Sequence, residues 1–154
     1  MRYVIALLAV AGIIVSSLAL RVHLQDPSQA PPCEVNARWD CGTVNHSRFA
    51  VLPPTSFDED PAHPGHHVPV AVIGIVGYSL ILIAALAGRV WITLQLAEIA
   101  FICAAFLSYL EAFVIQRWCI YCVWSQTIAA TILLCSIVTV VLRRRRKTPS
   151  YAAP

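Results

Sequence analysis

Four long apolar runs, separated by polar or proline-rich breaks, divide the chain. The first extends from Tyr3 to Leu20 between Arg2 and Arg21, and the second follows Pro69, from Val70 to Ala87. The third runs from Trp91 to about Ile115, and the fourth from Cys119 or Ile120 to Leu142. Each is close to the roughly 20 residues that an α-helix needs to cross a bilayer. The pattern predicts a single all-α integral membrane domain over residues 1–154, a four-transmembrane-helix bundle with helices at about 3–22, 69–88, 91–115 and 119–142. A large extracytoplasmic loop, 23–68, separates helices 1 and 2, and a basic tail occupies 143–154.

The first run exceeds the roughly 7 to 15 apolar residues of a secretory signal. Arg21-Val22-His23-Leu24-Gln25 is also a poor small-residue cleavage site, so a retained span is expected. In the second run Ala71, Gly74 and Gly77 or Tyr78 recur at helical spacing. Small residues in that register predict a closely packed helix neighbour rather than a ligand cradle.

Composition supports the membrane assignment: 58% of residues are hydrophobic and 12% charged, with a mean hydropathy of +0.71. An ordinary soluble domain carries roughly 25% charge. Four spans place both termini and the Gly88-Arg89 connection on one side. That side carries seven basic residues, Arg2, Arg89, Arg143 to Arg146 and Lys147, against Arg21, Arg38, Arg48 and Arg117 opposite. The positive-inside tendency then puts the termini in the cytoplasm. The net charge of +3 reports topology. A basic run beside a span is a stop-transfer anchor that attracts anionic lipid, and nucleic-acid binding is not expected.

This orientation sends residues 23–68 and the Gln116-Arg117-Trp118 turn to the periplasm or outside. Cys33 and Cys41, with seven residues between them, and Cys119 and Cys122 then share one oxidising compartment. Cys103 and Cys135 fall inside spans three and four and read as small buried hydrophobes. Alone, Cys119-Ile120-Tyr121-Cys122 admits a redox dithiol, a structural disulfide or half a zinc site. Partial positive charge at a helix start supports an attacking thiolate and speaks for the first.

The outer loop is no independent domain, because Pro31, Pro32, Pro53, Pro54, Pro61 and Pro64 interrupt it and aliphatic positions are few. Ser47 to Leu52 is either a short amphipathic helix at the bilayer mouth or plain loop. Asp58-Glu59-Asp60 with His63, His66 and His67 offers metal-ligand residue types. The intervening prolines and glycine favour a solvated loop tip, and no metal is expected. The two cysteine pairs therefore occupy different media, one aqueous and one at the bilayer. A loop dithiol that exchanges with both a soluble protein and the membrane pair connects them through mixed disulfides.

These features resemble the vitamin K epoxide reductase family over essentially Tyr3 to Leu142. They are Cys33-Glu34-Val35, then Cys41, then Ser47 six residues later, Pro69-Val70-Ala71-Val72-Ile73-Gly74 entering span two, and the C-x-x-C opening span four. Quinone-dependent thiol oxidases of the DsbB type carry their C-x-x-C in the first outer loop, the reverse order. The resemblance implies a membrane thiol:quinone oxidoreductase that supports disulfide bond formation, in a bacterial cytoplasmic (inner) membrane. Its redox-active residues would be Cys33, Cys41, Cys119 and Cys122. Cys33 would meet a separate thioredoxin-fold, DsbA-like protein, since no fused thioredoxin-like domain is expected here. Cys41 would exchange with Cys119, and Cys122 would stand against a lipid-soluble quinone, whether ubiquinone, menaquinone or phylloquinone. Ser47, Val70, Tyr78, Glu111, Tyr121 and Gln126 are the candidate quinone-binding residues.

Two positions depart from the family's animal enzymes, which hold the vitamin K oxygens with an asparagine early in span two and a tyrosine shortly after the C-x-x-C. Here Val70 and Gln126 stand in those places. Plain quinone reduction is therefore expected ahead of vitamin K epoxide reduction proper. A non-enzymatic four-span protein with a structural loop disulfide, of the claudin type, is the rival from another class (compare Trp39). Glu111, inside the outer end of span three, either pairs with Arg117 or snorkels to the interface, or else sits near the quinone as a proton source. Glu98 reads as packing. Trp118 and Trp124 read as an interfacial aromatic belt, and Tyr121 as a candidate for quinone stacking.

Overall fold

A computed structural model describes residues 1–26, 33, 36, 38–55 and 66–147. Helix α1 (Arg2–Leu24) leads to a short α2 (Cys41–Asn45) and a two-stranded ribbon, β1 (Val51–Leu52) and β2 (Val68–Pro69). Helices α3 (Val70–Leu86), α4 (Val90–Tyr109) and α5 (Ile120–Lys147) complete the bundle. Their inner faces meet over Ile5 and Ala9, Tyr78, Ile81 and Ala85, Ala97, and Ile128 and Ile132. Large apolar side chains stay exposed on the outward faces, among them Leu7, Ile83, Phe106 and Leu134. Helices whose outer faces are that apolar are solvated by lipid.

Three helical segments are long and apolar enough to cross a bilayer: α1, Val90–Ile115, and the Ile120–Arg145 part of α5. Helix α3 is apolar throughout but has 17 residues. At 1.5 Å per residue it spans about 25 Å, against roughly 30 Å of hydrocarbon.

Helices α1 and α3 approach closely at two glycines. A β-carbon at Gly12 would lie 2.5 Å from the Tyr78 ring, and one at Gly74 would lie 2.8 Å from Ser16 Oγ. The small-residue register of α3 therefore serves helix packing at Gly74. Gly77 differs: nothing lies within 4 Å of its β-carbon position, and it faces a cavity. Gly88, at φ +69°, makes the tight turn from α3 to α4.

Asp40 starts α2. Its Oδ1 accepts the Thr43 N–H at 2.8 Å and its other oxygen accepts the Thr43 hydroxyl, which satisfies amides left open by a first helical turn. The amphipathic helix considered for Ser47 to Leu52 is absent. Ser47 to Ala50 form a turn, and Val51 and Leu52 pair antiparallel with Pro69 and Val68. Pro53 and Pro54 cannot prolong a helix, whereas the ribbon supplies backbone partners and aims Val70 N–H at Ala50 O, 2.8 Å away. Asp58-Glu59-Asp60 and His63 lie outside the described residues.

Past Tyr109 the helix widens into a π-turn, Leu110–Ile115, ending at Gln116 with φ 56°. A left-handed conformation costs a non-glycine residue on the order of 1 kcal/mol. It returns the chain so that Arg117 N–H donates to Glu111 O at 3.2 Å.

Candidate active site

Main-chain atoms clasp the outer loop to the turn before α5. Trp118 N–H donates to Arg38 O at 2.9 Å, and Asp40 N–H donates to Trp118 O at 3.0 Å. The pairing is parallel and centred on Trp39, whose ring lies 6.3 Å from that of Trp118. Asn36 Oδ1 accepts the amides of Arg38 and Trp39 and shapes the loop side of the clasp. Trp118 thus packs on the loop rather than standing only in an interfacial belt, whereas Trp124 is exposed on α5.

The clasp sets Cys41, the first residue of α2, beside Cys119, the residue before α5. Cys33 and Cys41 form a disulfide with Cα atoms 5.9 Å apart. It packs with Val22, Val44 and Cys119 in one buried cluster, in which Cys41 and Cys119 have no exposed surface. Partial burial pushes the Asp40 carboxyl up, but the Thr43 hydroxyl and amide and the Arg117 charge outweigh it and hold Asp40 below its usual range.

Asn45 completes the junction. Its Nδ2 donates to Cys41 O at 2.9 Å and reaches Cys119 Sγ at 3.5 Å. No motif in the sequence marks this residue; only the four-residue step from Cys41 along a capped helix places it. Two histidines tie the same helix to the end of α1. The His46 ring nitrogens face Gly42 O at 2.9 Å and Gln25 O at 3.0 Å, while His23 contacts Asn45 O. The two rings stack with centroids 6.1 Å apart.

Cys122 packs at the edge of that buried cluster. It lines an apolar cavity of about 360 Å³ walled by α1, the loop, α3, α4 and the first turn of α5. Five of the six candidate quinone-binding residues, Ser47, Val70, Tyr78, Glu111 and Tyr121, line that cavity, and Gln126 does not. Gln126 Oε1 is instead buried without a hydrogen-bond partner. The Tyr78 hydroxyl donates to Ser125 O at 2.9 Å, and that of Ser47 donates to Val44 O at 2.8 Å. Cys103 is exposed on α4 at the cavity wall, and Cys135 is half-buried on α5 against the core.

Glu111 is 1% exposed. Its Oε2 accepts the Cys119 N–H at 3.1 Å, while Oε1 is buried with no hydrogen-bond partner. No ion pair joins it to Arg117, so pairing and snorkelling both give way to a wholly interior position. Glu98 is half-buried on α4. Among the described residues no group of three or more His, Cys, Asp or Glu is arranged to hold a metal.

The two sulfurs of one C-x-x-C therefore differ in surroundings: Cys119 is enclosed with the loop disulfide, whereas Cys122 borders that cluster and opens to an apolar chamber. No curated protein matches the chain. The model of the vitamin K epoxide reductase family matches residues 3–137, and the chain belongs to that family, whose role is thiol and quinone redox chemistry in a membrane.

Proposed function

We propose that the protein is a membrane thiol:quinone oxidoreductase that reoxidises a separate thioredoxin-fold, DsbA-like protein at the expense of a lipid-soluble quinone. Electrons pass from the partner to Cys33 and Cys41, then to Cys119 and Cys122, and then to the quinone. The observation that carries this reading is the division of the C-x-x-C, with Cys119 packed against the loop disulfide and Cys122 open to the apolar cavity.

The cavity fits a quinone head group. Its volume falls in the roughly 300 to 1,000 Å³ range of small-molecule sites. Ile73, Val76 and Ile99 on its rim are exposed on the outer faces of α3 and α4, which suits entry from lipid. When bound, the quinone accepts two electrons and two protons and leaves as the quinol. Val70 contributes only apolar surface and Gln126 stays off the cavity, which supports plain quinone reduction over epoxide reduction.

The protein in this reading is a four-span bundle with α3 as the shortest span. Both termini lie in the cytoplasm of a bacterial inner membrane, and the cysteine pairs face outward. Cys33 is only 5% exposed, so exchange with a soluble partner requires its sulfur to become accessible. In detergent, a reduced DsbA-like protein should drive reduction of ubiquinone or menaquinone, and Cys119→Ala and Cys122→Ala should each abolish it. Full turnover in Cys122→Ala would overturn the assignment.

A further inference from the structure

Glu111 has two oxygens in different circumstances. Oε2 is engaged by the Cys119 N–H at 3.1 Å, whereas Oε1 is buried and accepts nothing. The carboxyl adjoins the Cys122 thiol, and both line the cavity. A buried carboxyl oxygen left unpaired carries a free-energy penalty. Such a group persists where its partner comes and goes.

Among the described residues lining the cavity none supplies a lysine or arginine counter-charge to Glu111. From the start of α5 and the residue before it, the titratable groups at Glu111 are Cys119 and Cys122, and Tyr121 lines the same cavity. Across the cavity α3 contributes Tyr78, engaged with Ser125, α4 contributes Cys103, and α1 contributes His23 at its loop end.

We propose that Glu111 is the proton carrier of the membrane dithiol, with Oε1 taking the proton released at Cys122 Sγ and passing it to the acceptor's oxygen. This rests on the quinone-reductase reading above. The balance is closed: two thiols become one Cys119–Cys122 disulfide, releasing two electrons and two protons, and the quinone takes up both as it becomes the quinol. One proton leaves Cys122 Sγ and the other Cys119 Sγ; Glu111 carries the first, returns to its starting state on delivery, and then carries the second. The sequence leaves Glu111 between pairing with Arg117, snorkelling to the interface and a proton source near the quinone; the unequal oxygens favour the last and name the oxygen.

The test uses full-length protein in detergent, reduced with dithiothreitol, freed of reductant, and mixed with decylubiquinone in a single turnover. Glu111→Gln keeps an amide oxygen for the Cys119 N–H but cannot carry a proton. The expected result is quinone reduction slowed about 100-fold, the size of a typical general acid–base contribution. Quinone affinity and the Cys41/Cys119 exchange rate should be unchanged, and added formate, a small weak acid, should restore part of the rate. An unchanged rate and pH profile would overturn the proposal, and so would equal loss of quinone binding and of exchange, which marks a structural role. Wild-type protein supplies a check that needs no variant to fold: the quinone step, but not thiol exchange, should slow in D₂O, and equal quinone rates in both solvents overturn the carrier role. Reduced wild-type protein that leaves quinone untouched would overturn the oxidoreductase reading itself, a failure visible without Glu111→Gln.

Discussion

Replacing Asn45 by alanine should slow electron transfer between the two cysteine pairs while sparing the quinone step. Asn45 is 8% exposed, and its Nδ2 makes a full-length bond to Cys41 O at 2.9 Å and a longer one to Cys119 Sγ at 3.5 Å. Truncation leaves the sulfur without its side-chain donor and removes the bracket that holds α2 over α5. A buried hydrogen bond removed from one side costs about 1 to 3 kcal/mol, and the second bond is the weaker. A combined loss of about 2 kcal/mol in the exchange geometry corresponds to roughly a 30-fold slower rate. The assay starts with the Cys119–Cys122 disulfide formed by quinone, adds a reduced thioredoxin-fold partner, and quenches with an alkylating reagent at intervals to count thiols in each pair. Quinone reduction by the dithiothreitol-reduced variant is the control and should stay within about twofold of wild type. Asn45→Asp should be slower still, because a carboxylate withdraws the donor and repels an attacking thiolate. Wild-type exchange in Asn45→Ala, or an equal defect in the quinone step, would refute the assignment of Asn45 to the junction.

Gly12→Val should lower the thermal unfolding midpoint in detergent, because its β-carbon would fall 2.5 Å from the Tyr78 ring and overpacking of this kind costs about 1 to 3 kcal/mol; Gly77→Ala, with open space at its β-carbon, should unfold at the wild-type temperature. Cys103→Ala should keep turnover within about twofold of wild type in the partner-coupled assay, because Cys103 is exposed on α4 and lies outside the cluster of the two redox pairs. The Asp40 carboxyl is held below its usual value of 3.8 in the folded protein, so its contribution to stability is present above that value and lost as pH falls through the lower folded one. Asp40→Ala should lower the unfolding midpoint at pH 7 by the equivalent of about 1 kcal/mol, and the gap from wild type should close in acid; a gap that persists at pH 2 would contradict the capping account.

The long helices were legible because hydropathy sums over twenty or so positions and single exceptions do not erase it. Val70, Trp91 and Ile120 fall at or within one residue of the starts of α3, α4 and α5. The cysteine pairs were legible because few other residue types do their chemistry. What joins the pairs was not legible. The clasp uses the backbone of Arg38, Asp40 and Trp118, and main-chain donors carry no sequence identity. The ribbon at Val51 and Val68 has only two residues per strand, too short for an alternating pattern to register. Glu111 was conspicuous as a carboxyl in a span, but its direction was set by a π-turn that no composition announces.

That π-turn gives the end of α4 one residue of slack. Leu110–Ile115 holds one residue more per turn than an α-helix would. Deleting Phe113, whose side chain is exposed to the outside, removes no buried contact and would let the segment relax to ordinary α-helix. Because the residue lost is the extra one of the wide turn, the flanks keep nearly the same phase and Glu111 stays directed at the Cys119 amide. An equal deletion within α4 would instead rotate its Leu94 and Ala97 face by about 100° relative to Glu111. Loss of one residue is therefore tolerated in the wide turn and damaging in the regular helix before it, although neither removes a cysteine contact.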